Sequence, residues 1–202
     1  MTSYDWQPFL QRWSHEWLED SDYRAMLPPD VLASTWLGGP GATEAELAGL
    51  EARLGMSLPP SYRAFLTTTN GWRRTTSRME QLWSTYEVEW FRVRHQDWID
   101  IWLEESEGLP PIRDDMYFVY GPGQDPIYMR AEYLLAALEI GAPGDYESAI
   151  YLLNPQVITP EGEWEAWLLA TWLPGASRHP SFWDMMQAEH EKFIAWRQQK
   201  PR

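Results

Sequence analysis

Four histidines and a large surplus of carboxylates are the residues of this chain best equipped for chemistry. His15, His95, His179 and His190 could ligate a metal or move protons, but none stands at a ligand spacing. His190-Glu191 opens like the zinc-helix pattern H-E-x-x-H, in which two histidines one turn apart share a face; position 194 is Ile, so the second ligand is lacking. His15 and His190 fall on amphipathic helices and read as surface or internally satisfied side chains. Gly175-Ala176-Ser177-Arg178-His179 brings Ser near His, without the second glycine of the sharp turn that lifts a nucleophilic serine. Gly38 to Gly41 and Gly121 to Gly123 lack the Lys-Ser/Thr pair and the glycine spacing of phosphate-cradling loops, and read as turns. Carboxylate pairs are frequent enough to arise by chance, so none is assigned as acid and base. These residues point to no catalytic centre, no metal and no cofactor.

One constellation stands out. Asp97, Asp100, Glu104 and Glu107 fall within a narrow arc if residues 95–105 are helical. Like charges at these spacings repel by about 0.2–0.5 kcal/mol per pair. Such a stripe is either a solvated face or a recognition surface whose repulsion a cationic partner relieves. Glu87 and Glu89 extend it onto the preceding segment. Trp72, Trp83, Trp98 and Trp102 lie in or beside this acidic region. Some must be core; any that is exposed is a natural anchor for a protein partner, Trp72 and Trp98 being the first candidates.

The elements that would carry these residues follow from periodicity. Trp6, Phe9, Leu10, Trp13 and Trp17 recur at helical spacing within Tyr4 to Asp20. Asp22 to Thr35 is less regular and is broken by Pro28 and Pro29. Thr43 and Glu46 form a capping-box pattern that starts a second helix, with Leu47, Leu50 and Leu54 as its stripe and Gly55 as its stop. Tyr62 to Thr69 is a short helix ended by Asn70-Gly71. Tyr86, Val88 and Trp90 alternate with Glu87 and Glu89, which predicts a half-buried strand. His95 to Glu105 predicts a helix with Trp98, Ile101 and Trp102 on its inner side. Met116 to Tyr120 and Ala149 to Leu153 read as strands, and Tyr133 to Ile140 as strand or helix. Glu163 to Trp172 reads as a strand with Trp164, Ala166, Leu168 and Trp172 facing one way. Ser181 caps a last helix that buries Trp183, Met186, Phe193 and Ile194. Helices, then strands with one helix inserted, then a helix predict an α+β domain with an antiparallel or mixed sheet.

The chain has 202 residues, enough for one domain with a sizeable core. Without cysteine it has neither disulfides nor thiolate sites. Its first residues lack the basic region of a signal peptide, and no apolar run approaches the roughly 18 residues of a membrane span, so a cytoplasmic protein is expected. The formal net charge is −14. From Ala131 to Ser177 there is no Lys or Arg, whereas Glu132, Glu139, Asp145, Glu147, Glu161, Glu163 and Glu165 are present. That balance disfavours nucleic acid and anionic membranes as partners and favours a basic protein.

The most specific segment runs from Trp36 to Trp72. It reads Trp36-Leu37-Gly38-Gly39-Pro40-Gly41-Ala42-Thr43-Glu44, a helix, Leu58-Pro59-Pro60-Ser61-Tyr62-Arg63-Ala64-Phe65-Leu66, and Asn70-Gly71-Trp72. It resembles the N-terminal signature of the SUKH superfamily, the Smi/Knr-like domain. Ala149 to Leu153, Glu163 to Trp167 and Ser181-Phe182-Trp183 are similar, more loosely, to the family's central strand, a late strand and its closing helix. The resemblance implies a single SUKH-like domain over 1–202: an α+β fold with one curved, mainly antiparallel sheet flanked by helices over 36–194, with residues 1–35 an added N-terminal helical element. Bacterial members are mostly immunity proteins that bind and block a cognate toxin domain, often a nuclease or deaminase; fungal relatives are regulatory scaffolds. The family has no shared catalytic residues. Gly41, Pro59, Tyr62, Phe65 and Gly71 match its signature and imply structural roles. A toxin-neutralising protein, monomeric by default, binding a basic toxin domain is the expected function. A regulatory module for an endogenous partner is the alternative. A hydrolase or carbohydrate-binding domain has only the abundance of Trp and carboxylates behind it.

Overall fold

The computed structural model describes residues 4–76, 79–143 and 149–199. Its centre is one antiparallel sheet of β1 (Met79–Leu82), β3 (Leu138–Pro143), β4 (Ala149–Ile158), β5 (Trp164–Ala170) and β6 (Ala176–His179), in that order. A two-residue strand, β2 (Glu89–Trp90), also pairs with β3. Register shifts in the β1–β3, β3–β4 and β4–β5 pairings bend the strands, as bulges do.

Both faces of the sheet are covered, and this explains why β5 is buried at every position. Tyr151, Leu153, Trp164, Ala166 and Leu168 point to one face. There they meet α1 (Trp6–Leu18), α4 (Glu44–Leu54), α5 (Pro60–Thr68) and α9 (Phe182–Gln199). Ile150, Leu152, Trp167 and Leu169 point to the other face, which is covered by α6 (Phe91–Arg94), α7 (Gln96–Ser106), α8 (Asp114–Tyr117) and a 3₁₀ helix over Ala131–Ala136. Two further short helices, α2 (Ser21–Met26) and α3 (Pro29–Ser34), link α1 to α4.

The local chemistry follows the expectations most closely in α1, α4 and α5. Trp6 of α1 packs edge-on against Phe65 and donates its indole N–H to the Ser61 carbonyl at 3.0 Å. The Thr43–Glu46 capping box forms, and Gly55 ends α4 in the left-handed conformation. Pro59 precedes the first turn of α5, while Tyr62 and Phe65 are buried. Gly71 adopts φ 100° and Gly41 lies so close to the Thr67 carbonyl that a β-carbon there would stand 2.0 Å from its oxygen. Neither position admits a side chain without movement.

Elsewhere the pattern misled. Tyr86 to Trp90 is a turn followed by only two strand residues, and Tyr86 is exposed, its hydroxyl donating to Glu46 at 2.9 Å. Met116 to Tyr120 is no strand: its first residues end the helical turn α8, with Asp114 and Asp115 at the N-terminal end where carboxylates favour a helix. Tyr133 to Ile140 divides into the 3₁₀ helix and β3. The centre of the buried side of α7 is Ile99, with Trp98 and Trp102 half-buried beside it; Ile101 is 53 % exposed. Trp172 lies beyond β5 and is exposed. The Ser177–His179 segment is edge strand β6, a role its sequence did not suggest.

Candidate functional site: a protein-binding surface

The acidic residues of α7 are on its outer face. Asp97, Asp100 and Glu104 are exposed opposite Ile99, and Asp100 is bonded by Gln96 of its own helix at 2.8 Å. Glu107, also exposed, has left the helix with an extended backbone. Among the described residues, no Lys or Arg pairs with any of these four. Other surface carboxylates do find such partners: Arg63 meets Glu44 and Arg74 meets Glu80. The like charges on α7 are therefore left without the neutralisation common elsewhere.

The remaining candidates part company with this stripe. Glu87 closes a turn by accepting hydrogen bonds from the Ser84 N–H at 3.0 Å and hydroxyl at 2.7 Å, and it borders a different cleft, beside Gly38 and Trp72. Glu89 is half-buried against Arg53 at 3.3 Å and accepts from the Trp90 N–H. Trp72 is 2 % exposed and meets Trp36 edge-on, while its backbone pairs with Leu82. It is a core residue and offers no exposed anchor, because the signature turn folds it inward. Trp98 is half-buried beside Phe91 and His95. Trp83 is half-buried with the Arg94 guanidinium over its ring at 4.0 Å.

Apolar exposure concentrates in the stretch of chain that contains this layer. Val93, Ile101, Leu109, Phe118, Ile127 and Leu135 are six of the ten large apolar side chains left exposed among the described residues. In sequence, all six fall between the start of α6 and the end of the 3₁₀ helix. Exposed apolar groups interleaved with unpaired charge are the composition of a protein-recognition surface.

Sequence reasoning missed the buried carboxylates. Glu163 and Glu165 counted as surface charge, but both are buried, as is Glu139; Asp145 and Glu147 lie outside the described residues. Glu165 accepts from the Tyr117 hydroxyl at 2.5 Å, the Trp167 indole at 2.6 Å, the Tyr120 hydroxyl at 2.9 Å and Arg178 at 3.3 Å. Burial and the neighbouring carboxylate push both tyrosine hydroxyls far above their ordinary pKa, so they remain donors. Glu163 accepts from the Ser61 N–H at 2.8 Å and hydroxyl at 2.6 Å, and from Tyr4. The available signal was in β5 itself, where Trp164, Ala166 and Leu168 alternate with Trp167 and Leu169. A strand apolar on both parities has both faces covered, so its carboxylate must be buried and bonded.

Glu139 sits behind the N-terminal end of α7, 3.3 Å from His95 and 3.8 Å from Arg94. Burial raises its pKa to about 7 against the lowering pull of Arg94. His179 is driven down to about 4 by burial and by Lys192, so it is neutral near pH 7. Its ring is 3.4 Å from Ser177.

A family model matches residues 41–169. The chain belongs to the SMI1 / KNR4 family (SUKH-1). Among curated proteins it has no match. The matched span runs from Gly41 to Leu169, one residue short of the end of β5, and includes the whole α6–α8 layer; α1 and α9 lie outside it. SUKH domains include an immunity-protein type and are generally non-catalytic, with proteins as their partners. No helix among the described residues is long and apolar enough to cross a membrane.

Proposed function

We propose that this SUKH protein is a cytoplasmic immunity protein that neutralises a cognate toxin domain by direct binding, and that the toxin docks on the α6–α8 layer. The observation that carries the reading is the outer face of α7: Asp97, Asp100 and Glu104 exposed and, among the described residues, unpaired with Lys or Arg, with Ile101 exposed among them. A basic toxin surface would relieve their mutual repulsion and bring apolar area to the neighbouring side chains. Nuclease toxins carry such a basic surface for nucleic acid, and the carboxylates would stand where phosphates otherwise sit. Nucleic acid itself would meet like charge here and is not the partner. Residues 1–35 are a structural addition, since the aromatic side of α1 is spent on the core.

The reading is tested by co-expressing the chain with the toxin domains encoded beside its gene. Rescue of growth from one domain, and not from unrelated toxins, is the expected result. No rescue, together with no complex at micromolar concentration, would refute it and leave an endogenous regulatory partner as the alternative.

A further inference from the structure

A groove of about 560 Å³ runs between α7 and the turn joining β5 to β6. Trp98, Ile101 and Trp102 form one wall, and Leu169, Leu173 and Pro174 the other. The walls are apolar but the lip is acidic. Glu105 borders the groove, and Asp97 and Glu104 are the i−4 and i+3 neighbours of Ile101 on the helix surface. Among the described residues no Lys or Arg lines it, and its walls come from two stretches, 95–112 and 131–177, that contain neither residue. The volume lies within the range of about 300–1,000 Å³ typical of sites that enclose a compact apolar group.

We infer that this groove receives a short partner segment in which an aromatic or aliphatic residue is flanked by Lys or Arg. The apolar side chain displaces water from the two tryptophans and Ile101, and the flanking cations meet the carboxylates of the lip. The inference rests on the proposed function and deepens it by stating the chemistry of the toxin segment that docks. Among the described residues, one exposed segment of this chain has that pattern itself, Val93 between Arg92 and Arg94. The guanidiniums of that segment already lie 5.2 Å from the Trp90 ring and 4.0 Å from the Trp83 ring, so a second copy is not the occupant.

The test titrates the full ¹⁵N-labelled chain with two blocked dodecapeptides, each with a central Leu-Trp-Leu. One carries Lys at the flanking positions and the other carries Glu. The expected result is that the indole N–H signals of Trp98 and Trp102 shift with the Lys peptide. Affinity is expected to fall at least tenfold with the Glu peptide, and equally when Thr171→Trp, an exposed position bordering the groove, plugs it. Equal binding of the two peptides, shifts centred on other tryptophans, indifference to Thr171→Trp, or concentration-dependent self-association without peptide would each overturn the inference. The co-expression assay separates the two levels of the argument. If T171W still rescues as the wild type does, the groove is overturned and the immunity reading stands. If the wild type rescues from nothing, the immunity reading falls while the titration still decides the groove.

Discussion

Replacing Glu165 with Gln tests how the layer carrying the proposed docking surface is held to the sheet. The carboxylate is fully buried and is the charged partner of the equally buried Arg178. Beyond Glu165, Arg178 reaches the Tyr117 carbonyl and lies over the Tyr117 ring at 4.1 Å, while its Nε and one terminal nitrogen have no acceptor among the described residues. Gln keeps an acceptor oxygen for one tyrosine but removes the negative charge. The result is an uncompensated buried cation, which costs about 3–5 kcal/mol. Against a total stability of about 5–15 kcal/mol, that is a large fraction. For a chain of this size it lowers the melting temperature by about 6–20 °C. Urea unfolding followed by Trp fluorescence measures it, and the midpoint should fall with the slope unchanged. Hydrogen exchange should rise first between Tyr117 and Gln124, the segment that Glu165 and Arg178 secure. The double variant Glu165→Leu/Arg178→Met should be more stable than E165Q, because no charge is then left buried. A cost below about 1 kcal/mol for E165Q, or a double variant no more stable than the single one, would refute the assignment of an uncompensated cation as the main penalty.

Further predictions concern pH, packing and backbone. Glu139 holds its proton to about pH 7 when folded but loses it near 4.5 when unfolded, so its contribution falls as pH rises from about 4.5 to 7 and is flat above; Glu139→Gln should remove that slope in urea midpoints taken between pH 4 and 8. His179 acts in the opposite sense: folded it resists protonation down to about pH 4, unfolded it protonates near 6.5, so stability falls as pH drops through that window and His179→Gln should flatten it. Trp6→Ala removes a side chain buried among Phe65, Phe182 and Trp183 and should cost about 3–5 kcal/mol by denaturant titration. Gly49 sits inside α4 with open space where a β-carbon would stand, so Gly49→Ala should stabilise by about 0.5–1 kcal/mol. Gly41→Ala meets the Thr67 carbonyl and should destabilise in the same assay.

The parts of this fold legible in the sequence are those fixed by local chemistry. The Thr43–Glu46 box and Gly55 define α4 from within about a dozen residues, Pro59 sets the entry of α5, and the five aromatic and Leu positions of α1 state its buried side outright. The strands that failed are short or lack alternation. Met79 to Leu82 reads Met-Glu-Gln-Leu, and the apolar residues of Tyr86 to Trp90 divide between a turn and two strand residues, because pairing with β3 decides where the strand begins. Edge protection was equally illegible: Trp72 covers the outer side of β1 through Leu82, and the Gln124 side chain bonds both the N–H and the carbonyl of Arg178 on β6. The acidic stripe of α7 was readable from helical spacing alone. Its extension to Glu87 and Glu89 was not, since Ser84 and Arg53 engage those carboxylates from other segments. The network of Glu165 depends on Tyr117, 48 positions away, and on Arg178, 13 away, and no local pattern announces either.

The central claim is that a toxin domain docks on the α6–α8 layer through α7. Hydrogen–deuterium exchange on the chain, alone and in complex with the toxin domain from which it rescues cells, measures this directly. New protection is predicted over Gln96–Ser106 and over 171–174, weakening in the Asp100→Lys/Glu104→Lys variant as affinity falls and its salt dependence flattens. Protection confined to α1, α4 or α9, with α7 exchanging as in the free protein, would contradict the account.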